Sequence, residues 1–354
     1  MKSTQPESGY APRRMSPRKK HPVRAVILSL VALIVVAALV AGGYLFTLAN
    51  TFDDQTPELG SAFPEESLRP VKDPGDKSMN ILLMGADHGG ANQVTEDVID
   101  TGGTGQRSDT MMLVHVPADR NGIYVMSVMR DTWLEIPGHG KHKINAAMAF
   151  GGVPLVVQTF EGLFDAKIDH VAVVDFQGFR DLTTALGGVT VKNEIPFTAN
   201  DTDYFYPVGN IDLEGDRALR FVRERKSFSD GDYQRVKNQQ TFLKAVMDKL
   251  LRSETLTNPS KVYRVIDKVS PYVSLDDSLD AGTVAGLAIQ FKGLRSKDVH
   301  LFTLPTAGTS TSADGQSIVL EDEQAVADVG EALSHDTMGS YFEDLESDLE
   351  AKAK

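Results

Sequence analysis

The chain has 354 residues, 49 acids against 36 lysines and arginines, a net charge of −13 and no cysteine. That balance excludes sequence-independent nucleic-acid binding, which depends on neutralising phosphates with surplus positive charge. The absence of cysteine excludes disulfides, thiolate metal sites and a thiol nucleophile, so the fold must rest on its core.

Residues 1–24 form a basic tail in which Lys2, Arg13, Arg14, Arg18, Lys19, Lys20 and Arg24 face one acid, Glu7, for a charge of +6. Residues 25–354 therefore sum to −19. From 25 to 48 the chain reads AVILSLVALIVVAALVAGGYLFTL, without a charge. As a helix this stretch is about 36 Å long, enough to cross a hydrocarbon core of ~30 Å. It is longer than the ~7–15 apolar residues of a signal peptide, so it reads as a retained anchor. The basic tail is expected on the cytoplasmic side, which puts everything after the anchor outside the cell membrane. Residues 49–78, with Pro57, Pro64, Pro70 and Pro74, read as an extracytoplasmic stalk.

A catalytic domain is expected over 79–335. Short apolar runs at 79–85, 110–116, 123–128, 171–176 and 189–191 predict strands, and helical spacing recurs at about 144–164, 176–186, 214–225, 232–252, 258–270 and 279–292. The alternation predicts a three-layer α/β/α fold with a central sheet, preceded by the membrane helix. A hairpin-like DRNG turn between the second and third strands makes that sheet mixed. Residues 336–354 read as an acidic tail.

Charged residues gather where strands end. Asp87 follows the first strand, Arg107 and Asp109 open the second, and Arg130 and Asp131 follow the third. Two carboxylates beside two guanidinium groups suit a divalent metal bound with a phosphate, because hard oxygen ligands hold Mg²⁺ or Mn²⁺ and arginine forks match phosphate oxygens. Residues 213–225, LEGDRALRFVRER, and 232–240, DYQRVKNQQ, concentrate arginine inside an acidic domain. Pairing along a helix covers Arg217 and Arg220. Arg223 and Arg225 straddle a helix end, so with Arg235 they read as a converging anion site. His88, His115, His139 and His142 have no metal-ligand spacing and read as loop or strand positions. Leu82, Met84, Met111, Leu113, Val173 and Leu243 fit either an ordinary sheet core or the wall of a lipid tunnel.

The ordered set GxD, RSDTMM, RDT…IPG, KINAA…GG, GGVxV, LxGxxALxFVRxR and DxxRxxxQQ resembles the LytR–CpsA–Psr family of bacterial envelope proteins over roughly 79–252. The resemblance implies transfer of a glycopolymer from a polyprenyl-pyrophosphate carrier to peptidoglycan, with formation of a phosphodiester. It implies Asp87 and Asp109 as metal-side acids, Arg107, Arg130, Arg223, Arg225 and Arg235 as phosphate contacts, and Gln239 as a further contact in the closing motif. Arg130 would stabilise developing charge, and Asp131 or a metal-side acid such as Asp109 would take the acceptor's proton. Gly89, Met129 and Asn238 depart from the family's usual arginine, proline and arginine. Two other readings use the same site: a pyrophosphatase, and an envelope regulator that binds polyprenyl phosphates without turnover.

Overall fold

The structure is a computed structural model and describes residues 42–86, 108–200, 202–250 and 258–352. The chain divides into two units, 1–47 and 48–354. Of the first, residues 42–47 are described and are helical; the rest of the expected anchor, 25–41, lies outside the described residues. Everything that follows concerns the second unit.

After a helix over 48–55 (α1) come β1 (Met79–Ala86), β2 (Ser108–Val116), β3 (Ile123–Val128), β4 (Thr132–Ile136) and β5 (Gly140–Lys143). Next are α2 (Ala146–Phe164), β6 (His170–Asp175), α3 (Phe176–Ala185), β7 (Val189–Asn193), β8 (Phe197–Thr198), β9 (Phe205–Tyr206) and β10 (Gly209–Leu213). Then follow α4 (Gly215–Arg223), α5 (Asp232–Leu250), α6 (Pro259–Val269), β11 (Val273–Leu275), α7 (Ala281–Gln290) and β12 (Val299–Thr303). The described chain ends with β13 (Thr306–Thr311), β14 (Ser317–Glu321), α8 (Glu323–Ser334) and α9 (Met338–Lys352).

The central sheet has the order β11-β6-β1-β2-β3-β12. β2 runs antiparallel to both β1 and β3, while β6 joins β1 and β12 joins β3 in parallel, so the sheet is mixed as the DRNG turn requires. Alternate residues along a strand face opposite ways. Leu82, Met84, Met111, Leu113 and Val173 pack on one face with Val153, Val156 and Phe160 of α2 and with Val329 of α8. Met112, Val116 and Val125 pack on the other, against Leu243 and Met247 of α5. Each such side chain stabilises the fold by ~1.5–3 kcal/mol on burial. The fold is therefore mixed α/β with helices covering both faces of a central mixed sheet.

Among the described residues one helix, α2, is long and apolar enough to cross a membrane. Its Val153, Val156, Val157 and Phe160 are 0 % exposed, which makes it a core helix. Its regular geometry breaks at Gly151 and Gly152, the latter at φ 62°, and Pro154 sits in the first turn after the break, where its missing N–H costs least.

Two segments read as peripheral are built into the domain. Within the expected stalk, Leu59 and Ala62 lie in the main core, and Leu59 N donates to Leu275 O at 2.8 Å. Arg69 pairs with buried Glu161 at 2.8 Å and Lys72 with Asp169 at 2.6 Å. The prolines block a ladder, as expected, but side-chain anchors hold the segment to the domain instead. The acidic tail forms α9, whose Met338 and Phe342 enter the same core. Just before it, Asp336 accepts from Ala118 N at 3.1 Å and meets His115 Nε2 at 3.0 Å, while His115 Nδ1 meets Asn80 Oδ1 at 2.8 Å.

Burial holds the His115 imidazole below its ordinary value, with the Asp336 carboxylate opposing that shift. The unfolded chain takes a proton near pH 6.5 where the folded chain resists it, so this contribution to stability is complete above ~6.5 and is lost as pH falls through it. The melting temperature should fall between pH 7 and 5.5, and His115→Gln should flatten that fall. An equally steep profile in the variant would remove His115 as its cause.

Candidate functional site

The arginine cluster is built by one short helix and its exit. In α4 the residues Ala218, Leu219, Phe221 and Val222 are buried, which sends the intervening arginines outward. Glu224 ends the helix in extended geometry and is only 6 % exposed. Its carboxylate accepts from Asn200 N at 2.7 Å, Arg225 N at 2.9 Å and Ser227 N at 3.0 Å. Burial pushes this acid upward, but the backbone donors outweigh burial and hold it below the usual carboxylate range. The turn fixed by Glu224 lets Arg223, on the helix, and Arg225, beyond it, line the same pocket.

A second carboxylate gathers arginines from three elements. Asp232, the first residue of α5, lies 3.1 Å from Arg235 Nη2, 3.4 Å from Arg130 Nε and 3.4 Å from Arg225 Nε. Arg235 is 4 % exposed. Arg130 sits on the loop between β3 and β4, where its carbonyl accepts from Asn145 N. Asp131 is 3.2 Å from Lys143 Nζ and 3.8 Å from Arg130 Nε. Arg130, Arg223, Arg225 and Arg235 thus share the wall of one pocket of about 430 Å³, together with Arg180, Arg220 and Lys226. Arg220 also makes the expected pairing along its helix, to Asp216 at 2.7 Å, and Arg217 instead covers the Tyr206 ring.

Beside this basic pocket lies an apolar cavity of about 190 Å³ between the sheet and helices α3, α4 and α5. Phe176, Phe179, Leu182, Phe242, Leu243 and Val246 give it its character, and Leu219, Arg223 and Arg235 line both spaces. Arg223 stands 4.3 Å from the Phe176 ring centre, a cation–π contact. Of the six residues that could have lined a tunnel, Leu243 lines the cavity, and Met84 borders it while packing in the core on the other face of the sheet. Leu82, Met111, Leu113 and Val173 belong to the core on the other face of the sheet. Gln239 lines the apolar cavity, and its Nε2 donates to Val222 O at 3.3 Å.

The strand ends also converge. Ala86 pairs with Ser108 on one side and Asp175 on the other, and the register shift leaves Asp109 as the extra residue between Ser108 and Thr110. Gly85 and Thr110 line the apolar cavity. Asp87 and Arg107 lie outside the described residues, as does His88. Among the described residues no group of three potential metal ligands occurs.

Three contributors escaped the sequence. Asp232 is spaced i,i+3 from Arg235, a signal present but equally suited to an ordinary helix pair. Glu224 sits between two arginines with nothing to mark it as a turn-former. Arg180 is a single cation on an amphipathic helix. Of the three departures from the family pattern, Gly89 lies outside the described residues and the other two have structural occupations. Met129 is 1 % exposed and packs with Val236 and Tyr233, and buried Asn238 donates to Phe221 O at 3.3 Å.

The model of the LytR_cpsA_psr family matches residues 44–335. The chain is 32 % identical over 241 residues to a polyisoprenyl-teichoic acid–peptidoglycan teichoic acid transferase, TagU, of Bacillus mycoides, covering 66 % of this chain and 75 % of that one. It is 29 % identical over 325 residues to TagU of Enterococcus faecalis, covering 91 % and 98 %. Among solved structures, B. subtilis TagV superposes with a TM-score of 0.62 at 25 % identity, over 74 % of this chain and 98 % of that one. TagT bound to LI-WTA superposes with a TM-score of 0.60 at 26 % identity, over 78 % and 99 %. By the extent of the family match and by these relatives, the chain belongs to the LytR–CpsA–Psr family.

Proposed function

We propose that this protein is an extracytoplasmic phosphotransferase that moves a glycopolymer from a polyprenyl-pyrophosphate carrier to peptidoglycan. The observation that carries this reading is the shared wall of the two cavities. A basic pocket and an apolar cavity joined at Arg223 and Arg235 fit one ligand with an anionic head and an apolar tail. The curated relatives are named for such a transfer, and the anchor expected over 25–48 would hold the domain at the outer face of the bilayer, where lipid-linked donors lie.

In this reading a peptidoglycan hydroxyl attacks the glycan-side phosphorus. The new P–O bond forms as the bond to the bridging oxygen breaks, polyprenyl phosphate leaves, and the acceptor's proton passes to a carboxylate. Asp109 and Asp131 are the two candidates for that carboxylate. Phosphoryl transfer of this kind depends on positioning and charge stabilisation. Arg130, Arg225 and Arg235, fixed around Asp232, hold the pyrophosphate without reorganising, Arg223 stands where head meets tail, and Gln239 adds a contact from the apolar side. Arg107 would add a further phosphate contact.

Asp87 and Asp109 would hold Mg²⁺ or Mn²⁺. Two carboxylates are suitable hard donors, and the β1–β2 register brings the backbone of residue 109 beside the strand end that leads into residue 87. Such an ion supplies neutralisation of pyrophosphate charge.

Arg130→Ala should lower kcat by about 10²–10³-fold, the cost typical of removing one preorganised charge-stabilising donor. Its melting temperature should stay within a few degrees, because Asp232 keeps Arg225 and Arg235. Full activity in this variant would take Arg130 out of the mechanism. Chelation should abolish transfer and added Mg²⁺ restore it; turnover in excess chelator would refute the metal assignment. With donor and peptidoglycan together the product should be the glycan–peptidoglycan phosphodiester. Release of glycan phosphate to water, unaffected by acceptor, would favour the pyrophosphatase reading.

A further inference from the structure

The β4–β5 hairpin carries rings that the reaction site does not use. Thr132, Leu134 and Ile136 of β4 are buried, so Trp133 and Glu135 face outward. Trp133 pairs across the hairpin with Lys143, whose Nζ lies 3.2 Å from Asp131 Oδ1. From Trp133 a strip of rings runs over the hairpin and onto α2. The ring centres of Trp133 and His142 are 6.1 Å apart, those of His142 and Phe150 5.0 Å, and those of Phe150 and His139 4.6 Å. Phe150 is the last residue before the break in α2 at Gly151, and it stays 39 % exposed although it meets both imidazoles. His139 is exposed as well.

Packing of the hairpin on α2 explains why the rings meet but not where the strip leads. It begins at the Asp131–Lys143 pair, beside Arg130. Arg130 lines the basic pocket, whereas no residue of β4, β5 or α2 lines the apolar cavity. In a displacement at phosphorus the attacking and leaving oxygens lie roughly in line. The leaving phosphate carries the lipid tail that the apolar cavity takes, so the attacking hydroxyl must enter from the side away from that cavity. The hairpin stands on that side. Open aromatic rings suit the apolar C–H faces of pyranose rings, and the imidazoles among them can hydrogen-bond sugar hydroxyl and amide groups.

We propose that Trp133, His142, Phe150 and His139 form the acceptor surface, on which a stretch of the peptidoglycan glycan strand lies with its reacting hydroxyl at the Asp131 end. The inference rests on the transferase reading and adds to it the place of the acceptor.

Trp133 is the one tryptophan of the chain, so its fluorescence reports on the strip without any turnover. Full-length protein in detergent is titrated with soluble, uncross-linked peptidoglycan strands of two, four and eight sugars. Emission should change with a Kd about tenfold lower for four sugars than for two. Phe150→Ala should weaken the four-sugar Kd about tenfold, and Phe150→Tyr should restore it. In transfer assays Phe150→Ala should raise the acceptor KM about tenfold with no change in donor KM. His139→Ala, which removes an exposed ring and leaves the core untouched, should act in the same direction. A rise in donor KM in place of acceptor KM would assign the strip to the donor's glycan and overturn the inference. An unchanged acceptor KM in both variants overturns it too, as does a lower melting temperature as their only effect. A fluorescence response without transfer would remove the transferase reading and keep the strip as a glycan surface; transfer without any response at Trp133 or in acceptor KM would do the reverse.

Discussion

The site depends on a carboxylate placed among arginines. Two like charges 4 Å apart repel by about 4 kcal/mol at an effective dielectric of 20, so converging guanidinium groups do not stay together unaided. Asp232 reaches Arg130, Arg225 and Arg235 within 3.4 Å and offsets that repulsion. Its place is favourable for a second reason: as the first residue of α5 it meets the positive end of the helix dipole. One residue therefore ties the β3–β4 loop, the exit of α4 and the start of α5 together. The pocket stays positive because the carboxylate is outnumbered, and ordered because each arginine has a fixed partner.

That arrangement also explains why a charged wall can adjoin an apolar one. Arg223 would be costly to desolvate beside Phe242 and Val246, yet its guanidinium covers the Phe176 ring. Arg235 is almost fully buried but holds Asp232. Charges in such surroundings act more strongly on a ligand than the same charges in water, since the local dielectric is lower. Glu224 completes the arrangement from below by accepting three backbone N–H groups, which sets the turn that aims Arg223 and Arg225.

Periodicity made β1, β2, β3 and β6 of the central sheet and helices α2 to α7 legible, because each has an apolar set at period 2 or 3.6 long enough to recognise; β11, β12 and α8 were not foreseen. The β4–β5 hairpin, with its TWLEI and GKHK, and β13, rich in Thr, Ser and Gly, lack such a set, and the SIVLE of β14 is a run too short to tell from a loop; none of them was foreseen. The proline-rich segment misled for a different reason: Leu59 and Ala62 are too few to show a pattern, and their burial is decided by the core they meet. In the site, arginines stood out by contrast with an acidic domain. Asp232, Glu224 and Arg180 did not, because acids in an acidic chain carry no contrast and their roles exist only once separate elements meet.

That contrast has a physical consequence. The sequence after the basic tail sums to −19, so an anionic polymer approaching most of this surface is repelled. Attraction is confined to the pocket, and at physiological salt it fades within ~8 Å. A field of that range cannot collect a polyanion from bulk solution. Delivery must then come from elsewhere, and an apolar cavity opening beside the basic wall supplies it: a donor held in the bilayer by its own tail arrives already oriented, head toward the arginines. On the proposed function, the acidity of the domain and the positive charge of the site are parts of one selection, in which the lipid brings the substrate close and the pocket accepts only its anionic end.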